Sequence, residues 1–189
     1  MLSKENALQI LHEHVQSESL RRHCLAVAYA LEAYADYFKE EKNLWFITGL
    51  LHDFDYEQFP TSEHHPFEGV KILKEKGYPQ EITDAILGHA EYSGVKRSTN
   101  LAKSLFAVDE LSGIIMALAK VRLANFEGMS ASSVRKALKK KEFAAAISRE
   151  DIAKGIQELN VLEDQHYERV INALRDHAKE LGFSSPKTL

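Results

Sequence analysis

The stretch Leu50-Leu51-His52-Asp53-Phe54-Asp55 stops an apolar run abruptly on an imidazole and a carboxylate that adjoin each other. Before it, Leu44-Trp45-Phe46-Ile47-Thr48-Gly49 has the apolar density of a short buried helix, and Asn43 is a candidate to cap it. The His-Asp pair then emerges at the buried C-terminal end of that helix. Desolvating these two groups is expensive unless something compensates them. They can hydrogen-bond each other, or a divalent metal can do it. The dipeptide by itself does not choose. His23 upstream and Asp109 downstream, each on the apolar side of its own helix, make the second reading worth following.

Working outward, Ser3 can cap a first helix with Leu8, Leu11 and Val15 at helical spacing, and Ser17-Glu18-Ser19 interrupts that pattern. Leu20 begins a longer helix through Val27, Leu31, Tyr34 and Phe38. His23 lies three residues after Leu20 and four before Val27, so it faces the core; a lone histidine there is ordinarily hydrogen-bonded. After the central pair, Phe54 to Pro60 reads as an acidic, aromatic loop at a pocket rim, with Asp55 and Glu57 in reach of chemistry. Pro66 suits the first turn of a helix carrying Phe67, Val70 and Leu73, with Gly77 as its stop. Pro79 opens a helix on which His89 shares the face of Ile82 and Ile86. Glu91 to Asn100 is a loop, and Thr99 or Asn100 can cap the long helix Leu101 to Arg122, which puts Asp109 four residues beyond Leu105. A last helix carries Tyr167, Val170, Ile171, Leu174 and Leu181 and ends at Gly182.

The bounds on the chain are consistent with that pattern. Its 189 residues, 44% hydrophobic and 28% charged, predict one soluble all-α domain over 1–189, with a core at about 20–125 and a helical extension at about 126–189. A net charge of −4 argues against strong nucleic-acid binding. The single cysteine, Cys24, excludes an intrachain disulfide and a thiolate zinc finger, and a reducing cytoplasm fits. The first residues lack an apolar signal core and no apolar run is long enough to cross a bilayer, so no membrane partner is expected. Phosphate loops rich in glycine and the Gly-x-Ser-x-Gly elbow are absent. What remains is nitrogen and oxygen chemistry from His and Asp. For phosphate contacts the sequence offers Lys96, Arg97, Lys120, Arg122 and the cluster around Lys139, although a solvated basic face accounts for any one of them more simply.

His23, then His52-Asp53, then Asp109, each in its helical setting, resembles the HD superfamily of metal-dependent phosphohydrolases over roughly Leu20 to Arg122. The resemblance implies an HD-domain helical bundle in which His23, His52, Asp53 and Asp109 hold one divalent ion. Members with two ions add a histidine in His-x-x-x-Gly, matched by His65 to Gly69, and one in Ile-x-x-His, matched by Ile86 to His89. Tyr56 stands where relatives reading His-Asp-x-Gly-Lys carry the lysine, and Ala90 replaces the second of two successive histidines. The cyclic-dinucleotide branch is therefore a poor fit. Two imidazoles and two carboxylates suit Mn, Fe, Co, Ni or Zn. The expected function is hydrolysis of a small phosphate ester, such as a nucleotide or related metabolite, by attack of metal-activated water. One ion is expected, with a second at His65 and His89 as the alternative; without it those two contact phosphate. Asp53, Glu57 and Glu91 are the catalytic candidates. A two-iron oxygenase and a non-catalytic sensing module are the competing functions, and oligomeric state is not legible.

Overall fold

Short polar side chains set where the helices begin. In the computed structural model, which describes residues 2–183, Ser3 caps α1 (Lys4–His14) by accepting from the Asn6 N–H. Ser17 caps α2 (Glu18–Phe38) by accepting from Leu20. Helix α3 (Lys42–Leu51) is capped by Glu41, whose carboxylate accepts from the N–H groups of Asn43 and Leu44. Asn43, the expected cap, is instead the second residue of the helix, because the longer Glu41 side chain reaches the free N–H groups first. Pro66 and Pro79 immediately precede α4 (Phe67–Glu75) and α5 (Gln80–His89). Gly77 ends the α4 segment at φ +77°, a left-handed conformation that a side chain would strain. After a single 3₁₀ turn at Glu91–Ser93, Thr99 caps α6 (Asn100–Val121). Helices α7 (Ala131–Leu138), α8 (Arg149–Leu159, capped by Ser148) and α9 (Glu163–Asp176) follow. Among the described residues there is no strand, so the chain is all-α as the periodicity predicts.

Helix α9 stops six residues before the expected Gly182. His177 leaves helical geometry and stacks flat on Tyr29, with ring centroids 3.7 Å apart. Leu181 still reaches the core from the turn that follows. No helix among the described residues is long and apolar enough to cross a membrane.

The long helices α2 and α6 pack on each other and carry the rest: α1 and α3 join on the α2 side, α5 and α8 on α6, and α9 bridges both. Two approaches are so close that only glycine fits. A Cβ at Gly49 would lie 2.7 Å from the Ala28 Cα on α2, and one at Gly155 would lie 2.6 Å from the Ala107 Cα on α6. One hydrophobic cluster runs from Ala7 to Leu181 and includes Phe126, Val134, Ile152 and Leu174 beside Leu31, Leu50 and Leu105. Within it the His166 Nε2–H donates to the Ala107 carbonyl at 3.1 Å, which leaves Nδ1 to accept from the Tyr34 hydroxyl. Burial pushes the His166 imidazole down to about 4.

Two outcomes are expected. A chain ending at Gly128 exposes the faces of α2 and α6 that α8 and α9 cover; it should lose cooperative thermal unfolding by circular dichroism, and a sharp transition at the full-length midpoint would contradict the packing argument. Because His166 is neutral when folded but protonates near 6.5 when unfolded, unfolding takes up a proton between pH ~6.5 and ~4. Stability should therefore decline as pH falls through that window. His166→Gln, measured by urea titration, should show a slope shallower by about one proton.

Candidate metal centre

His52 and His89 reach the bundle interior by the same local device. Each sits at the C-terminal end of a helix, where backbone carbonyls have no intrahelical partner. The His52 Nδ1–H donates to the Gly49 carbonyl at 2.8 Å, and the His89 Nδ1–H donates to the Ile86 carbonyl at 2.5 Å. A third imidazole is fixed differently: the His65 Nδ1–H donates to Asp55 Oδ1 at 2.8 Å, while Asp55 Oδ2 accepts the Gly69 N–H at 2.8 Å. With Nδ1 committed in all three, the Nε2 lone pairs are turned toward one point. Asp55 is thus not a solvated loop residue; it is fully buried in a tight turn and positions His65.

Asp53 stands between two sets of imidazoles. Its Oδ1 lies 3.3 Å from His65 Nε2 and 3.3 Å from His89 Nε2. Its Oδ2 lies 3.5 Å from His52 Nε2 and 3.9 Å from His23 Nε2. From α6, Asp109 Oδ1 lies 3.0 Å from His23 Nε2 and 3.4 Å from His52 Nε2. His23, His52 and Asp109 therefore offer atoms all within 4.8 Å of one another, and so do Asp53, His65 and His89. These are two adjacent clusters able to hold metal.

The residues fit a cation on two further observations. His52 Nε2 is buried without a hydrogen-bond partner. His65 Nε2 and His89 Nε2 face each other at 3.2 Å, where two lone pairs repel unless a proton or a cation lies between them. Burial would lower the His89 imidazole, but its hydrogen bond to Asp53 and the Asp53 charge raise it. Burial would push the His52 imidazole down, but the Asp53 and Asp109 charges outweigh it and raise it to about 9. Burial likewise raises the two carboxylates, and the imidazoles facing them, His52 foremost, hold both below the ordinary range. Divalent ions would substitute for those protons.

A cavity of about 410 Å³ opens over this centre; Tyr56, Glu91, Tyr92, Glu110, Ile147 and Asp151 line it with the ligand-type residues. Glu110 is a residue the sequence reading passed over, although it directly follows Asp109. Burial, reinforced by the Asp109 charge, raises its carboxyl to about 7. Ile147 and Asp151 come from the extension beyond α6, and nothing in their local sequence points to the centre.

Several expected site residues lie elsewhere or are tied up. Glu57 does not line this cavity: its Oε2 accepts the N–H groups of Gln16 and Ser17 at 2.9 and 3.0 Å, so it ties down the turn that precedes α2. Arg97 is committed to Glu158, to Glu91 and to the Gly88 carbonyl, and its guanidinium lies 3.7 Å over the Phe106 ring. Arg122 donates to the Asn125 and Glu127 carbonyls and closes the turn after α6. Glu91 is at the cavity but holds Arg97 and Lys154. Lys96 is exposed on a surface groove behind it. Lys120 lines a neighbouring cavity.

Comparison with known proteins adds the family. Searches of curated proteins and of solved structures return no match. The family model described as the HD domain matches residues 20–114, which contain both ligand clusters and half of the chain, and the protein therefore belongs to the HD domain family.

Proposed function

We infer that the protein is a metal-dependent phosphohydrolase acting on a small phosphate ester, with nucleotides and related metabolites among the first candidates. The observation that carries this reading is the Asp53 carboxylate, with one oxygen toward His65 and His89 and the other toward His52 and His23. That placement suits two divalent ions, one held by His23, His52 and Asp109, the other by His65 and His89, with Asp53 between them. The sequence favoured one ion; the second cluster is the reason for two. Nitrogen and oxygen donors of this kind favour Mn, Fe, Co, Ni or Zn. Such ions, when bound, acidify water and withdraw charge from a phosphoryl oxygen.

The chain's own residues do the rest. Nδ1–H bonds to Gly49, Ile86 and Asp55 fix each imidazole in angle and leave Nε2 as the nitrogen that faces the ions. Tyr56 and Tyr92 flank the opening, and Glu110 and Asp151 make its far wall acidic. Without an arginine or lysine in that lining, charge neutralisation of a bound phosphate falls to the metal centre.

Metal analysis with an assay against phosphate esters tests this directly. After reconstitution with Mn or Fe the wild type should carry about two ions and hydrolyse at least one ester class. Asp53→Ala and Asp109→Ala should each lose metal and lower turnover more than about a hundredfold, since removing an anionic ligand leaves buried positive charge uncompensated. His65→Ala with His89→Ala should retain about one ion. Full occupancy in either aspartate variant would remove the assignment. Asp55→Asn keeps the size but weakens the hold on His65; affinity for the second ion should fall about 10–100-fold with folding intact, and an unchanged affinity would reduce Asp55 to a structural residue.

A further inference from the structure

A second cavity, about 540 Å³, adjoins the metal centre and shares His23, Tyr56 and Gly113 with the first. It lies between the start of α2 and the C-terminal half of α6. Its walls are largely apolar, formed by Leu20, Pro60, Met116, Ala117 and the Tyr56 ring, and Lys120 stands at its far end. Along α6 the residues Asp109, Gly113, Met116, Ala117 and Lys120 follow at spacings of four, three, one and three, which is one helical face. A single stripe therefore leads from a metal-facing carboxylate, past a residue without a side chain and an apolar patch, to an ammonium. The eleven residue steps from Asp109 to Lys120 span about 16 Å along the axis. Lys120 has no ion pair or hydrogen bond among the described residues, so its charge is free.

We propose that this second cavity seats the organic part of the substrate, and that this part is an elongated apolar group bearing a second anion that reaches Lys120. The inference rests on the phosphohydrolase reading and narrows it to one substrate class: phosphate esters of aryl or alkyl groups carrying a distal carboxylate or phosphate. Charge decides between the two cavities. On the other side of the centre the lining adds Glu91, Glu110 and Asp151 and no lysine or arginine, so a distal anion has no charge partner there. The second cavity has one carboxylate in its lining, Glu57, whose Oε2 already accepts two backbone N–H groups, and its wall also carries a cation, Lys120, that no carboxylate pairs. An apolar group with a distal anion gains burial against Leu20 and Met116 and a charge partner at Lys120 only in this orientation.

The test uses the full metal-loaded chain and three probes: the phosphate ester of hydroxybiphenyl carboxylic acid with its two substituents at opposite ends, the same ester without the carboxylate, and ethyl phosphate. In the wild type kcat/KM should rank in that order, with the carboxylate worth about tenfold or more. Lys120→Ala should collapse the ratio between the two biphenyl esters to near one. Ala117→Leu, which fills the cavity from a partly exposed helical position, should lower the ratio of biphenyl ester to ethyl phosphate about tenfold. Calorimetric binding of the free hydroxybiphenyl carboxylate gives a readout independent of turnover, and it should weaken in both variants. If the wild type binds this compound in a Lys120-dependent way but hydrolyses no ester, the phosphohydrolase reading fails and the binding cavity stands. If it hydrolyses esters but prefers ethyl phosphate or nucleoside monophosphates, or if Lys120→Ala lowers all three probes equally, the assignment of the cavity is overturned.

Discussion

Two carboxylates, Asp53 in the turn just past α3 and Asp109 in the middle of α6, face the same imidazoles inside the bundle. Like charges brought together in a low-dielectric interior destabilise the fold unless positive charge stands between them. Burial opposes charge on His52, yet the Asp53 and Asp109 charges raise its imidazole to about 9, so in the chain alone His52 supplies positive charge between them. The surrounding architecture can be understood as keeping those imidazoles where the carboxylates require them.

Rigidity at the centre comes from pairing the ring nitrogens of His52, His65 and His89 that face away from it. The carbonyls at the ends of α3 and α5 would otherwise lack partners, so His52 and His89 satisfy a helix terminus and fix their own orientation with one bond each. His65 has no helix end beneath it and depends on Asp55, which is itself held by the Gly69 N–H. Helix α3 can present His52 at this depth because Gly49 lets it lie directly on the backbone of α2. The centre and the helix packing are therefore coupled, and a change at Gly49 would be felt at His52.

The segment beyond α6 contributes to the centre as well as to the core. Arg149 donates to the carbonyls of Ala144, Ile147, Phe143 and Lys140, gathering that turn onto the start of α8. This brings Ile147 against Gly113, where a Cβ would stand 3.1 Å from its Cδ1, and puts Asp151 at the cavity wall. Gly155 against Ala107 holds α8 close enough for both.

Helical periodicity and capping residues were legible in the chain because they are local: the phase of His23, His89 and Asp109 on their helices depends only on the 3.6-residue repeat. So was the resemblance that names the family, since its ligand-type residues occur in a fixed order. Roles that depend on where a side chain ends up were not legible. Glu57 and Asp55 look alike in a short acidic run, yet one accepts the Gln16 and Ser17 N–H groups before α2 and the other orients His65, because the fold sets different partners beside each. Arg97 and Lys120 are equally plausible phosphate ligands by composition; the fold surrounds the first with acceptors and leaves the second free. The sequence by itself determined an all-α chain and the residue types at its centre. Only the tertiary structure decided that Asp53 divides its two oxygens between two histidine pairs and that an apolar cavity leads away from them, because both depend on distances between helices far apart in the chain.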